Sequence, residues 1–214
     1  MTFKVCGMRD PENIRALEAT GLVDWMGFIF YGKSPRFVGS EPPAYLPACP
    51  KVGVFVNPTV DYVRTMVPRF GLRLVQLHGN ESPEFCKEVS EQVPDVCVIK
   101  AFSILSEADL EKALEYESVV DGFLFDTPTP GYGGSGKNFD WKLLEGYHGH
   151  IPFLLSGGIG PDSLDALSKF SHPLWYGIDL NSRFETAPAM KDVEALKEFL
   201  LAVREKLGLV ADVR

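Results

Sequence analysis

The sequence contains no long hydrophobic run. Its first residues, MTFKVCGMRD, turn polar almost at once, whereas a signal peptide carries an apolar segment near its start. No later stretch approaches the roughly 20 apolar residues of a membrane-spanning helix. We therefore expect neither an export signal nor a membrane segment, and we predict a cytoplasmic protein.

Basic residues are in short supply. Lysine and arginine number 21 against 29 aspartates and glutamates, which gives a formal net charge of −8. Proteins that bind nucleic acids or anionic membranes need positively charged surfaces. We expect neither kind of partner, although a local basic pocket is compatible with this charge balance.

Cysteine is sparse as well. The four cysteines, at positions 6, 49, 86 and 97, show no paired spacing of the kind that binds a metal, so we expect no metal site. Without an export signal they are expected to be reduced thiols. Three of them are interpreted as packing residues, and Cys6 is singled out below because it ends a predicted strand.

The remaining composition is typical of a globular chain. Hydrophobic residues make up 45% and charged residues 23% of the 214 positions, which is enough for a substantial core. No linker and no shift in composition divides the chain. We therefore predict one domain, residues 1–214.

Short apolar segments alternate with helical patterns along the chain. The predicted strands are residues 3–6, 25–29, 52–56, 74–77, 96–101, 122–126, 152–156 and 175–179. Helix starts are indicated by Asp10 before Pro11, Asn57 before Pro58 and Ser82 before Pro83, whereas four prolines in residues 40–50 predict a short or irregular second helix. Regular alternation indicates a parallel sheet, and eight strands favour a closed (β/α)8 barrel, the TIM barrel.

Reactive side chains follow several of these strands. Cys6, His78, Asp126 and Asp179 end strands one, four, six and eight, and Arg36 lies in the second strand-to-helix loop. In a (β/α)8 barrel the carboxyl ends of the strands form the active-site face. We therefore expect these five side chains to gather at one rim.

Glycine-rich loops follow strands six and seven. The first contains Gly133, Gly134, Ser135 and Gly136, and the second contains Gly157 and Gly158. Glycines let backbone N–H groups approach an anion closely, and barrels of this type often bind phosphate at this place. A flexible connection is the alternative interpretation of the first loop.

Taken together, the motifs resemble those of the phosphoribosylanthranilate isomerase family, within the ribulose-phosphate-binding barrels. The matching segments occur in the family's order and span nearly the whole chain. They are KVCG at 4–7, GFIFY at 27–31, KSPR at 33–36, VGVFVN at 52–57, VQLHG at 75–79, YGGSGK at 132–137, SGG at 156–158, GID at 177–179, AP at 187–188 and KD at 191–192.

The resemblance implies an Amadori rearrangement of N-(5′-phosphoribosyl)anthranilate to 1-(2-carboxyphenylamino)-1-deoxyribulose 5-phosphate, a step of tryptophan biosynthesis. It implies Cys6 as general base and Asp126 as general acid. Arg36 would bind the anthranilate carboxylate, and His78 and Asp179 would contact the substrate. The rearrangement is internally redox-balanced, so no cofactor is expected. The expected partner is this small-molecule substrate, and the expected state is a monomer or a homodimer.

One segment departs from the family pattern. After strand eight the family usually carries a Ser-Ser-Gly turn at the phosphate, whereas this chain has Asn181, Ser182 and Arg183. An arginine in place of glycine puts the local backbone geometry in question. We predict that phosphate still binds here, with Arg183 either contacting it or pointing to solvent.

Other interpretations of the same residues stay open. Cys6 is also compatible with a small buried hydrophobe, and Asp126 with a loop cap. Lys4 either lies beside the Cys6 thiol or pairs inside the barrel with Asp179 or Asp126, and we favour the pairing.

Three other functions stay open as well. Indole-glycerol-phosphate synthase would need a longer N-terminal segment and a catalytic lysine–glutamate set. The aminoaldose isomerase of histidine biosynthesis uses two aspartates. An inactive barrel that serves as a partner subunit or a metabolite-binding module is the non-enzymatic alternative.

Overall fold

Eight parallel strands close into a barrel in the computed structural model, which describes residues 1–126 and 141–209. The strands pair in chain order, and β8 also pairs with β1, with Lys4 opposite Asp179. The strand bounds are β1 Thr2–Val5, β2 Trp25–Ile29, β3 Lys51–Phe55, β4 Leu74–Leu77, β5 Cys97–Ser103, β6 Gly122–Asp126, β7 Phe153–Ser156 and β8 Trp175–Leu180. The predicted (β/α)8 barrel is confirmed.

Six α-helices in the described part of the chain cover the outside of the barrel. They are α1 Pro11–Glu18, α2 Val60–Phe70, α3 Pro83–Gln92, α4 Glu107–Leu114, α5 Leu164–Lys169 and α6 Val193–Lys206. Asp10 and Ser82 cap α1 and α3 as predicted, because their side chains accept hydrogen bonds from backbone N–H groups of the first turn. In the described ranges no helix is long and apolar enough to cross a membrane.

Two helices differ from the sequence-based expectation. The start of α2 was wrongly placed at Asn57, because Asn57 has a left-handed backbone with φ of 45°, and Thr59 is the N-cap instead. Between β2 and β3, a fully described stretch, there is no helix at all. The four prolines of residues 40–50 account for this, since each removes a backbone donor.

The core consists of two layers separated by the strands. Alternate strand residues point outward and pack under the helices, among them Phe3, Phe28 and Phe123. The intervening residues fill the interior of the barrel; the buried apolar ones are Cys6, Val52, Val54, Leu74, Ile99, Ala101, Leu124 and Leu154. Cys6 therefore caps the inner layer, at the carboxyl end of the barrel.

A small hairpin follows β8 on the same face. It consists of β9 Glu185–Ala187 and β10 Met190–Lys191, which pair antiparallel. The Asn13 side chain on α1 holds it in place, because Asn13 donates to the Lys191 carbonyl and accepts from the Lys191 N–H, each at 2.8 Å. This hairpin brings two charged side chains toward the barrel mouth.

Candidate active site

A cavity of about 270 Å³ opens at the carboxyl ends of the strands. Cys6, His78, Asp126 and Asp179 line it together, although they come from four different strands. The remaining lining residues are Ile29, Val54, Gln76, Ser156, Gly157, Gly158, Ile159, Asn181, Ser182 and Arg183. Arg36 is not in this lining, and Gly133, Gly134, Ser135 and Gly136 lie outside the described residues.

Cys6 directly follows β1, and only 4% of its surface is exposed. Its backbone N–H donates to the Leu180 carbonyl at 2.8 Å, which fixes the end of the strand against β8. Burial raises the pKa of the Cys6 thiol, since a thiolate loses hydration there. The positive charges of Lys4 and Lys191 oppose this shift but do not cancel it.

Lys4 lies below Cys6 in the barrel interior and is fully buried. Its Nζ donates to Oδ1 of Asp179 at 2.8 Å, so the favoured pairing inside the barrel is found, and of the two partners considered, Asp179 and Asp126, it is made with Asp179. Burial alone would lower the pKa of Lys4, but the charges of Asp179 and Cys6 raise it above its ordinary value. A permanent cation is thus held beside the thiol.

Asp126 ends β6 and faces His78 across the cavity. Nε2 of His78 lies 3.7 Å from Oδ2 of Asp126, and both side chains are about one-third exposed. Nδ1 of His78 lies 2.8 Å from Nε2 of the buried Gln76. The His78 ring thus lies between the buried Gln76 amide and the Asp126 carboxylate.

Arg36 lies beside the cavity and is held by Glu185 of the hairpin. Arg36 donates from Nε to both carboxylate oxygens at 2.9 and 3.0 Å, and from Nη2 to Oε2 at 2.6 Å. Lys191 also donates to Glu185, at 2.6 Å, and to Oδ1 of Asn181, at 2.7 Å. Burial alone would raise the pKa of Glu185, but hydrogen bonds from Arg36 and Lys191 bring it below its ordinary value.

The loop after β7 and the turn after β8 form the other end of the cavity. Gly157 and Gly158 have φ of 99° and 65°, a left-handed conformation that favours glycine. Arg183 donates from Nη2 to Oδ1 of Asp162 at 3.0 Å, and its side chain is half exposed. The arrangement offers an arginine and glycine-lined backbone to an anion.

The backbone at Arg183 has no need of glycine. Arg183 lies in a right-handed 3-10 turn, Ser182–Phe184. Among the described residues, left-handed backbone outside glycine occurs only at Asn57, Asp95 and Ala189. The departure from the family's Ser-Ser-Gly pattern is therefore accommodated without backbone strain.

Sequence reasoning missed three residues at this site. Gln76 had one signal, since it is a polar residue inside the otherwise apolar strand LVQL. Lys191 had only its place in the KD segment that resembles the family, and Glu185 had no signal. Both lie outside the barrel strands, and the hairpin brings them to Arg36.

Comparison with known proteins points to one family. A family model described as N-(5′-phosphoribosyl)anthranilate (PRA) isomerase matches residues 3–202. The N-(5′-phosphoribosyl)anthranilate isomerase of Phocaeicola vulgatus is 52% identical over 208 residues, which cover 97% of this chain and 100% of that relative.

Solved structures of the same family have the same fold. One is a phosphoribosylanthranilate isomerase in complex with reduced 1-(o-carboxyphenylamino)-1-deoxyribulose 5-phosphate. It is 30% identical, covers 96% of this chain and 100% of its own, and superposes with a TM-score of 0.79. Another is that of monomers generated from the dimeric isomerase of Thermotoga maritima, 29% identical, with 95% and 99% coverage and a TM-score of 0.77.

Proposed function

The chain belongs to the N-(5′-phosphoribosyl)anthranilate isomerase family, and on that premise we propose that Cys6 is the general base and Asp126 the general acid of its reaction. The activity is the Amadori rearrangement of N-(5′-phosphoribosyl)anthranilate to 1-(2-carboxyphenylamino)-1-deoxyribulose 5-phosphate in tryptophan biosynthesis. The enzyme is thus an aldose–ketose isomerase.

The reaction needs one proton donor and one proton acceptor in a single cavity. Asp126, in its protonated form, donates to the furanose ring oxygen, and the ring opens to a Schiff base. Cys6, as thiolate, removes the proton from C2′ and leaves an enolamine. The enolamine then tautomerises to the ketone by gaining a proton at C1′ and losing one from the C2′ hydroxyl. C1′ is reduced as C2′ is oxidised, so the step is balanced without an external oxidant.

The observation that carries this proposal is the shared cavity. Cys6 and Asp126 both line it although they lie on strands one and six, so each has its own surroundings. Lys4 beside the thiol favours the thiolate that a base requires. Nε2 of His78 faces the Asp126 carboxyl group at 3.7 Å, which suits a role in orienting it.

The remaining roles concern substrate binding. Arg36 would hold the anthranilate carboxylate through its planar guanidinium. Asp179 and His78 would contact the substrate from the cavity wall. The phosphate would lie against Gly157, Gly158, Asn181, Ser182 and Arg183, together with Gly133, Gly134, Ser135 and Gly136 of the loop outside the described residues.

Three further properties belong to the proposal. We take the protein to be cytoplasmic and to have no nucleic-acid partner, which agrees with its net charge of −8. Its oligomeric state is a monomer or a homodimer, in line with the dimeric relative from Thermotoga maritima.

Two substitutions test the acid–base assignment. Cys6→Ala and Asp126→Asn should each lower kcat by about two orders of magnitude or more, the usual worth of a general acid or base. Cys49→Ala, away from the cavity, is the matched thiol control. Near-normal turnover in either variant would refute the role of that residue. Failure of the well-expressed wild-type protein to restore growth without tryptophan, in a strain lacking the isomerase, would favour an inactive barrel.

A further inference from the structure

We infer that Glu185 is a positioning residue for substrate binding, which sets the orientation of Arg36 directly and that of Asn181 through Lys191. The inference rests on the proposed role of Arg36 in binding the substrate carboxylate. It assigns a function to a buried charge cluster that the acid–base mechanism leaves unused.

Glu185 holds Arg36 by direct contact. Glu185 accepts three hydrogen bonds from its guanidinium, at 2.6–3.0 Å, and the Glu185 side chain is only 5% exposed. A two-pronged contact of this kind fixes both the position and the plane of a guanidinium. Without Glu185, several rotatable bonds of the Arg36 side chain would lose their freedom only when substrate binds. With Glu185 in place, the side chain is already ordered before binding.

Lys191 connects Glu185 to Asn181. Lys191 is buried and spans Glu185 and Asn181 with hydrogen bonds of 2.6 and 2.7 Å. Since its Oδ1 accepts from Lys191, the Asn181 amide has a defined orientation, and Asn181 lines the cavity at the proposed phosphate end. One carboxylate thus connects residues that serve opposite ends of the substrate.

Side chains of the same cluster pack closely around Gly7. Gly7 directly follows Cys6 and has φ of 79°. A Cβ at this position would lie 2.9 Å from Cδ of Arg36, 2.9 Å from Oδ1 of Asn181 and 3.5 Å from Nζ of Lys191. These three side chains, which Glu185 holds directly or through Lys191, therefore pack against the backbone next to the proposed base, and a shift in their positions would disturb it.

The charge of the cluster also fits this role. Arg36 and Lys191 contribute two positive charges and Glu185 one negative charge, so the group keeps a net charge of +1 next to the cavity. This leaves an electrostatic attraction for an anionic substrate group. Without Glu185, the buried Lys191 and the partly exposed Arg36 would repel each other with no counter-charge between them. Burial already lowers the pKa of Lys191 and Glu185 opposes this, so the pKa would fall further without Glu185.

The test is a double-mutant cycle with phosphoribosylanthranilate as substrate. Arg36→Ala and Glu185→Gln should each raise KM at least about tenfold, with a smaller change in kcat. The effect on KM in the double variant should fall clearly short of the product of the two single effects. The part of the Glu185 effect that acts through Arg36 is already lost in Arg36→Ala, whereas the part that acts through Lys191 and Asn181 remains. Glu185→Asp, which keeps the charge, should recover part of the loss.

The controls distinguish an effect on substrate binding from a loss of folding. They also distinguish a failure of this inference from a failure of the proposed role of Arg36. Glu41→Gln breaks an exposed pair with Arg69 and should leave KM unchanged. Thermal unfolding by circular dichroism checks that the variants are folded, and Glu185→Asp replaces Glu185→Gln if the latter is not.

Three outcomes would count against the inference. Additive effects in the double variant, or an unchanged KM in folded Glu185→Gln while Arg36→Ala is impaired, would overturn it and leave the function of Arg36 intact. An unchanged KM in Arg36→Ala would instead refute the proposed role of Arg36 and, with it, the premise.

Discussion

Nζ of Lys4 and Oδ1 of Asp179 lie 2.8 Å apart inside the barrel, directly below the mouth of the cavity. The pair keeps a buried cation next to the thiol of Cys6, where burial nevertheless holds the thiol pKa above its ordinary value. A buried charge needs a partner of this kind, because its desolvation is otherwise too costly. The ion pair thus supports the proposed base from within the core.

The first prediction concerns the pH dependence of Cys6 reactivity. Because the pKa of Cys6 is raised above the ordinary thiol value of 9.0, the thiolate fraction should increase about tenfold per pH unit throughout the neutral range. We expect the rate at which iodoacetamide alkylates Cys6, followed on its peptide by mass spectrometry, to rise with pH in the same way and to level off only above pH 9. A plateau of this rate below pH 8 would contradict the raised pKa.

The second prediction concerns Arg183 at the proposed phosphate end. Arg183→Gly should weaken binding of reduced 1-(o-carboxyphenylamino)-1-deoxyribulose 5-phosphate about fivefold, the worth of a half-exposed charge contact of roughly 1 kcal/mol. Isothermal titration at moderate salt measures this. Unchanged affinity would remove Arg183 from the phosphate site.

Asp162 supplies the matched comparison for Arg183. Asp162→Ala removes the carboxylate that accepts from Arg183 at 3.0 Å, without touching the arginine itself. If Arg183 contacts the phosphate, the released guanidinium should bind the same ligand at least as tightly as in the wild type. A parallel loss in both variants would indicate that the pair stabilises only the fold of the turn.

The third prediction concerns the contribution of Glu81, beside the loop that carries His78, to the free energy of unfolding. Glu81 is buried, lies 3.2 Å from Nζ of Lys100 and accepts the backbone N–H groups of Asn57 and Gly79. Glu81→Ala leaves the buried Lys100 without its counter-charge and should lower the free energy of unfolding by about 3–5 kcal/mol. Urea denaturation gives the value.

An exposed pair serves as the control for this measurement. Glu91→Gln disrupts the contact with Lys87 on the surface of α3 and should cost about 0.5 kcal/mol or less. A loss of less than 1 kcal/mol in Glu81→Ala would mean that the cluster contributes little to the stability of the loop.

Local chemistry determined much of this protein from the sequence alone. Short apolar runs placed the eight strands, and Asp10 and Ser82 marked helix starts because capping depends only on neighbouring backbone groups. The closed barrel then brought the carboxyl ends of the strands together, so Cys6, His78, Asp126 and Asp179 were found in one cavity as expected.

Only the tertiary structure decided which of these residues touch each other. Lys4 pairs with Asp179, and Arg36 with Glu185, across most of the length of the chain. The left-handed backbone of Asn57 and the right-handed turn at Arg183 were likewise decided by their surroundings. Periodicity and capping act over a few residues, whereas the orientation of a buried charge is set by whichever opposite charge the folded chain brings within about 3 Å, and that distance exists only once the barrel has closed.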